Sequence, residues 1–432
     1  MHKRKIDYKK IFIVISAIFI ISLVAFYGSR LIYYYAIEHK KSDDNENKTT
    51  YFTDLLETTI NVSDASGGLY INNDEYIYKY NAEDNYVWYS GALWRMLRIN
   101  ADKTIDLIMD EPLSVIYPSY EDNDYLASYL SKFYQDLDQT YLEQIEYCSD
   151  SISDLTNITC TNKIKENISL IDIYHYNEAG GAKSFLNKKQ TTFTMSKDLE
   201  GKLWYLNSDG SLNLYNVEDG YKALSIRPVI RLKAKLNIKN GNGFADNPYI
   251  LKESETLEFK DVNVGEYVKF NDQLYRILNK GETYIQVLSL ECLKESDACI
   301  EKEFGTTNDY SKSSLNTYLN EKFSTIENND FLVEGDFKIG EIVDYNFENI
   351  NNKTFKAKVG IPSAFDYFIT NNHNSYLLNK GIGDTIYTLS DKGTYFFDMP
   401  SNLKNIYPVL NLDINLKITG TGTMNDPYVV SR

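Results

Sequence analysis

The strongest constraint on this chain is an internal duplication. Five sequence blocks recur in the same order, and four of them recur with offsets of 179 to 183 residues. For example, YVWYSGALWRML in the first half returns as YVKFNDQLYRIL in the second half. Blocks repeated in a fixed order indicate a duplicated structural unit. The sequence therefore predicts two tandem homologous domains and a linker between them: 63–252, 262–432 and 253–261.

Each repeat contains the same predicted elements. Alternating apolar and polar residues predict an opening hairpin, with a turn at Ser90-Gly91 or at Asn271-Asp272. A third strand follows, then one amphipathic helix near Leu126–Leu137 or Ser314–Phe323, and then further strands that end in Gly, Asn and Pro. This pattern predicts an α+β fold in which each domain is dominated by its sheet.

The N-terminal region has the features of a membrane anchor. Residues 11–27 carry no charge, and the apolar pattern continues to Ile37 after Arg30. Five basic residues lie in the tail 1–10, which the positive-inside rule places in the cytoplasm. The sequence therefore predicts a single-pass transmembrane helix at 11–37 in the cell membrane, followed by extracellular domains.

Two further features of this region complete the prediction. The residues that follow the apolar stretch are polar and lack an apolar period, so residues 38–62 are predicted to be a spacer. A cleaved signal peptide is the alternative to an anchor, and it requires a small-x-small cleavage site. Ala25-Phe26-Tyr27 and Tyr27-Gly28-Ser29 do not fit that pattern.

The charge balance excludes one class of partner. The 432 residues contain 61 acidic and 45 basic side chains, which gives a net charge of -16. A protein that binds the phosphate backbone needs a basic footprint, so no nucleic-acid partner is expected.

The four cysteines divide evenly between the repeats. Cys148 and Cys160 lie in the first, and Cys292 and Cys299 lie in the second. An even count outside the cytoplasm favours two local disulfides. Free structural cysteines and a metal or catalytic role are the alternatives, but the spacing lacks CxxC pairs, and His175 has no aligned partner in the second repeat. No metal or cofactor is predicted.

Known catalytic motifs are absent from the sequence. It contains no GxSxG, HExxH, P-loop or strand-to-helix GxGxxG signature. Arg95 recurs as Arg276 beside an aromatic residue, so it is a candidate for binding a carboxylate or a sugar. An internal ion pair or stacking on an aromatic ring is the alternative for both arginines, and it is the one we favour.

A second group of candidates lies on one predicted strand and the turn after it. Trp204, Tyr205, Asn207 and Asp209 combine aromatic faces with amide and carboxylate groups, which is the chemistry that carbohydrate binding needs. The second repeat does not keep the polar members of this set. A buried tryptophan followed by ordinary turn residues is therefore the alternative that we favour.

The repeated motifs resemble a family. The stretches NYVWYSGALWRMLRI, SIRPVIRL and GNGFADNPYIL look like the uncharacterised repeated domain of Firmicutes and mollicute-like surface proteins. The second repeat departs from this pattern, with Tyr275 in place of the tryptophan and Tyr407 in place of the arginine before the proline. The end of that domain is distantly similar to the C-type-lectin-like fold of formylglycine-generating enzymes. The resemblance implies a lectin-like fold and no particular activity.

These observations together favour a non-enzymatic surface protein. The expected function is adhesion or binding of a carbohydrate or protein ligand by two lectin-like extracellular domains. An extracytoplasmic cell-envelope enzyme and a structural subunit of a surface assembly are the alternatives.

Overall fold

The computed structural model describes most of the chain beyond residue 66. The described residues are 52, 67–72, 74–115, 123–187, 190–215, 225–234, 236–238, 240–251, 258–340, 353–369, 371–391 and 393–432. Within these residues, no helix is both long and apolar enough to cross a bilayer. The predicted basic tail 1–10 and anchor 11–37 lie outside them.

The fold is dominated by strands, which confirms the predicted α+β class. The strands of the first repeat are β1 (Gly68–Asn72), β2 (Glu75–Lys79), β3 (Tyr86–Tyr89), β4 (Ala92–Ile99), β5 (Ile105–Met109), β6 (Leu113–Ser114), β7 (Leu142–Glu143), β8 (Ile145–Cys148), β9 (Lys163–Glu166), β10 (Ser169–Leu170), β11 (Thr192–Lys197), β12 (Leu203–Leu206), β13 (Leu212–Leu214), β14 (Ser225–Ile226), β15 (Pro228–Leu232) and β16 (Tyr249–Ile250).

The described part of the second repeat contains the same number of strands as that of the first. They are β17 (Tyr267–Phe270), β18 (Gln273–Lys280), β19 (Tyr284–Ser289), β20 (Lys294–Glu295), β21 (Ala298–Cys299), β22 (Glu301–Lys302), β23 (Gly335–Lys338), β24 (Thr354–Ala357), β25 (Val359–Gly360), β26 (Ser375–Lys380), β27 (Ile386–Leu389), β28 (Tyr395–Asp398), β29 (Lys404–Asn405), β30 (Val409–Asp413), β31 (Lys417–Thr419) and β32 (Tyr428–Ser431).

The described helices are few and short. The α-helices are Asn123–Asp136, Ile173–Glu178 and Ser314–Phe323, and the 3₁₀ helices are Gln139–Tyr141, Gly181–Lys183, Phe259–Asp261, Tyr310–Lys312 and Asn329–Phe331. Helix Ser314–Phe323 coincides with the predicted one. It starts where the Ser313 hydroxyl accepts a hydrogen bond from the backbone N–H of Asn316. It buries Leu315, Leu319 and Phe323, which lie four residues apart on one face.

Six strands of the main sheet share one topology in the two repeats. The order β16-β3-β4-β5-β15-β10 in the first repeat corresponds to β32-β17-β18-β19-β30-β25 in the second. The pairs β16–β3 and β32–β17 are parallel, and the other neighbours are antiparallel. Both sheets also have a register shift at the equivalent place, between Met96 and Arg98 and between Ile277 and Asn279.

A second, five-stranded sheet recurs in the same way. Its order is β13-β12-β11-β14-β6 in the first repeat and β28-β27-β26-β29-β22 in the second. One of the further strands predicted from the sequence, Ile226–Leu232, is divided between the two sheets in the structure. Ser225–Ile226 pairs in the second sheet, Pro228–Leu232 pairs in the main sheet, and Arg227 lies at the crossing.

The predicted hairpin turns have the backbone that a tight turn needs. Ser90 and Gly91 have φ values of 48° and 71°, and Asn271 and Asp272 have 48° and 59°. Positive φ at both central residues defines a type I′ turn, whose twist matches that of the flanking strands.

The two repeats pack against each other within a single compact unit, Tyr51–Arg432. The ring of Tyr367 lies 5.0 Å from that of Phe133 and 5.7 Å from that of Tyr129, both edge-to-face. Its hydroxyl donates a hydrogen bond to Asp136 at 3.1 Å. The helix of the first repeat therefore contacts a loop of the second, and the division into two independent domains stays a prediction.

Residues near the predicted domain boundaries join the core. Phe52 is the one residue of the predicted spacer 38–62 that the structure describes, and it is buried with its ring 5.0 Å from that of Tyr249. Phe259, in the predicted linker 253–261, is also buried. Both side chains are buried by residues that are distant in the sequence. The polar composition of the neighbouring residues therefore did not predict their burial.

Candidate functional site

Both predicted disulfides are present. Cys148 pairs with Cys160 and Cys292 pairs with Cys299, with Cα–Cα distances of 5.6 and 5.5 Å. The two bridges occupy different places in the repeat, because the first joins β8 to the chain just before β9 and the second closes the hairpin β20–β21. Asp150 lies close to the first pair of sulfur atoms. Those sulfurs are bonded to each other, so they are not thiolate ligands for a metal.

A buried carboxylate orients an imidazole near the first disulfide. Asp172 precedes helix Ile173–Glu178 and accepts hydrogen bonds from the backbone N–H groups of His175 and Cys148, each at 2.8 Å. The His175 Nδ1–H donates to Asp172 Oδ2 at 2.6 Å. Burial on its own would raise the pKa of Asp172, but the charge and hydrogen bonds of His175 hold it below its usual value.

This pair can do two things chemically. The Asp172 carboxylate fixes the tautomer of His175, so Nε2 is left as the basic nitrogen. The carboxylate also caps the helix, which is a structural role. Sequence reasoning considered His175 only as a metal ligand. The spacing Asp-x-x-His, with the aspartate capping a short helix that contains the histidine, was the available signal.

Trp204 lies beneath the loop that the first disulfide closes. It is 9% exposed and packs with Ile152 of that loop and with Ile173, in a cluster separate from the main core. Its indole Nε1–H has no hydrogen-bond partner among the described residues. A buried hydrogen-bond donor without a partner destabilises the folded state by about 1–3 kcal/mol. The indole N–H of Trp204 is such a donor among the described residues.

The other residues predicted with Trp204 do not join it in one site. Tyr205 is buried in the main core, because successive side chains of a strand point to opposite faces. Asn207 and Asp209 lie in the turn between β12 and β13, where both bond Ser211. The structure therefore places the aromatic rings inside the fold and the two polar side chains in a turn.

Arg95 is held in a sandwich of aromatic rings. Its guanidinium carbon lies 4.3 Å from the ring centroids of both Tyr86 and Phe185. Its Nε and Nη2 donate to Asn85 Oδ1 at 2.9 and 2.8 Å, and Nη2 also donates to the Ala82 carbonyl. Burial lowers the pKa of Arg95. These contacts match the stacked alternative for this residue.

Arg276 is stacked between two aromatic rings in the same way, and it also forms an ion pair with the first repeat. Its guanidinium carbon lies 5.1 Å from the centroid of Tyr267 and 3.8 Å from that of Phe368. Its Nη1 forms an ion pair with Glu111 of the first repeat. Phe368 has a φ of 63°, an unfavourable conformation for a bulky residue, at this junction. The second arginine therefore helps to join the two repeats.

A third arginine, Arg227, is buried at the crossing between the sheets. It donates to the carbonyls of Met109 and Leu186 at 2.8 and 2.7 Å, and its Nη2 has no partner among the described residues. Burial lowers its pKa to about 10. Sequence reasoning did not single it out, although the second repeat has Tyr407 in its place.

A cavity opens at the end of helix Ser314–Phe323. Its volume is about 330 Å³, which is at the lower end of the range of small-molecule pockets. The lining combines apolar side chains with a charged and polar rim. The lining residues include Phe323, Leu332, Val359, Asn320, Asp330 and Lys358.

Comparison with family models, with curated proteins and with solved structures finds no match to this chain. The resemblance to the repeated surface domain and to the lectin-like fold therefore stays an expectation.

Proposed function

We propose that this protein is anchored in the cell membrane by residues 11–37 and acts on the extracellular side by binding a ligand, without catalysis. The observation that carries the proposal is the pair of disulfides, one in each repeat. Such bonds form and persist in oxidising compartments, so they agree with the orientation expected from the basic tail.

The packing between the repeats supports a binding role for the unit as a whole. The contacts of Tyr367 and Arg276 with the first repeat fix the two repeats to each other. A surface held in this way loses little conformational entropy when a ligand binds. The ligand that we propose is a protein, a peptide or a carbohydrate at the cell surface. The burial of Trp204 and Tyr205 gives less support to ring stacking with a sugar.

Protease treatment of intact cells tests the placement. Added protease should degrade the region beyond residue 50 while the membrane stays sealed, and a cytoplasmic protein serves as the control. Full protection of that region would refute the topology. Binding is tested separately with glycan and surface-protein arrays, and uniform absence of binding would refute the binding role.

An extracytoplasmic enzyme is the second candidate, and one observation favours it. The His175 imidazole, oriented by Asp172, has the arrangement of a general base. Purified chain and its H175Q variant should be compared on cell-wall fragments and on chromogenic esters. A turnover lost in H175Q at unchanged stability would establish the enzyme and displace our first proposal.

A further inference from the structure

We propose that the cavity at the end of helix Ser314–Phe323 binds a small carboxylate that carries an apolar side chain. The inference rests on the proposed binding function, and it names where in the second repeat one ligand sits and what chemistry that ligand has.

The walls of the cavity are held in place before any ligand arrives. The Asn320 side chain bridges to the next strand, because its Nδ2 donates to the Val359 carbonyl at 2.9 Å and its Oδ1 accepts from the Val359 N–H at 3.2 Å. The same amide also bonds Asn316 one turn earlier. Helix and strand are thereby locked together, and a preformed pocket costs less to occupy.

The charges around the cavity select an anion. The Asp330 carboxylate is already paired with Arg432, at 2.8 Å. Lys358 is exposed, and no acidic side chain among the described residues lies within ion-pair distance of its ammonium group. Among the described residues that line the cavity, Lys358 is therefore the charged side chain without an ionic partner, in a chain whose net charge is -16. An ammonium group binds a carboxylate through charge-assisted hydrogen bonds.

The floor of the cavity is apolar. Phe323, Leu332 and Val359 line it and are themselves almost fully buried. A volume of about 330 Å³ accommodates an aliphatic side chain together with its carboxylate. A free acylated amino acid and the C-terminal residue of a peptide share this chemistry.

The first repeat lacks the cation at the equivalent position. Ser169 pairs with Val229 in the first repeat as Gly360 pairs with Val409 in the second. Two residues before Gly360 lies Lys358, and two residues before Ser169 lies Asn167. The substitution K358N therefore installs the side chain that the first repeat already carries on this fold.

Calorimetric titration of the full chain in detergent tests the inference. The probes are N-acetyl-leucine, its amide, and one leucine-terminated peptide with a free or an amidated C-terminus. We expect each acid to bind at least about tenfold more tightly than its amide, since a hydrogen bond to a charged group is lost. K358N should weaken the acids by a similar factor. K356Q, which changes an exposed lysine two residues earlier, should leave them unchanged.

The outcomes separate the sources and the two proposals. Binding of N-acetyl-leucine and of the free-ended peptide, or of the peptide alone, supports the site and identifies its source. Equal affinity for acid and amide, an unaffected K358N variant of wild-type stability, or no binding of any probe would overturn the inference. If array binding persists in that case, the surface-binding function stands and only the assignment of this cavity fails.

Discussion

Ionisation of the Asp366 carboxyl destabilises the folded state. Asp366 lies in the loop that contacts the first repeat, and its Oδ2 accepts a hydrogen bond from the Ser363 N–H at 2.7 Å. Burial raises its pKa from 3.8 to about 6, although that hydrogen bond and the charges of Lys338 and Lys132 act in the opposite direction. Replacing the carboxyl with an amide, D366N, removes the charge and keeps an oxygen that can accept the bond.

The magnitude follows from the shift in pKa. One pKa unit corresponds to about 1.4 kcal/mol, so a rise from 3.8 to about 6 costs the folded state roughly 3 kcal/mol once the group is ionised. Asp366 is partly exposed, which reduces the expected cost to about 2 kcal/mol. The folded state holds the proton more tightly than the unfolded chain. Stability is therefore lost as the pH rises from about 4 to about 6, and the loss is constant above that range.

Urea unfolding of the full chain, followed by tryptophan fluorescence, measures this effect. At about pH 7.5, D366N should be more stable than the wild type by about 2 kcal/mol, and near pH 4 the two should agree. D384N makes the same chemical change at an exposed position and should have little effect at either pH. A D366N variant that is no more stable at pH 7.5, or one with the same advantage at both pH values, would refute the reasoning.

Three further changes perturb the disulfide within each repeat and the contacts between the repeats. Reducing both disulfides should lower the free energy of unfolding by about 2–3 kcal/mol for each bridge, measured as a shift of the urea midpoint with and without reductant, and the unreduced chain should contain no alkylatable thiol. E111Q should cost about 1–3 kcal/mol, because it leaves Arg276 buried without its anionic partner; an unchanged midpoint would show that the aromatic rings and the Gly265 carbonyl hold the guanidinium without Glu111. G91A should cost about 2 kcal/mol or more, since φ is 71° and a Cβ would lie 2.1 Å from the Val264 carbonyl oxygen of the second repeat, whereas a wild-type melting temperature would argue against that contact.

The sequence was sufficient to predict features that depend on neighbouring residues. Turn residues at positions 90–91 and 271–272 require positive φ, and the structure has it at all four. The apolar spacing of Leu315, Leu319 and Phe323 located its helix correctly. The cysteine pairing was also predicted correctly, because the two cysteines of each pair are separated by few residues in the sequence.

Features that depend on distant residues could not be predicted in this way. Nothing near Trp204 in the sequence says that a disulfide-closed loop some fifty residues earlier covers it. The pairing of Arg276 with Glu111 joins residues 165 positions apart, so the role of Arg276 is visible only after the repeats are docked. The Asp172–His175 pair is local, but the hydrogen bond that Asp172 accepts from the Cys148 N–H joins residues 24 positions apart.

The duplication explains why the two repeats need not have the same function. Six strands of their main sheets have the same order, because that order buries the core and tolerates little change. The disulfides, Arg227 and the cavity all lie on connections outside those shared strands or at their ends, where the two repeats differ. The site with His175 belongs to the first repeat, and the cavity with Lys358 belongs to the second. Arg276 and Tyr367 hold the two repeats together. The first repeat therefore stays in a fixed position when the proposed ligand binds in the second. Loss of the Glu111 contact should therefore affect the unit as a whole and not one repeat alone.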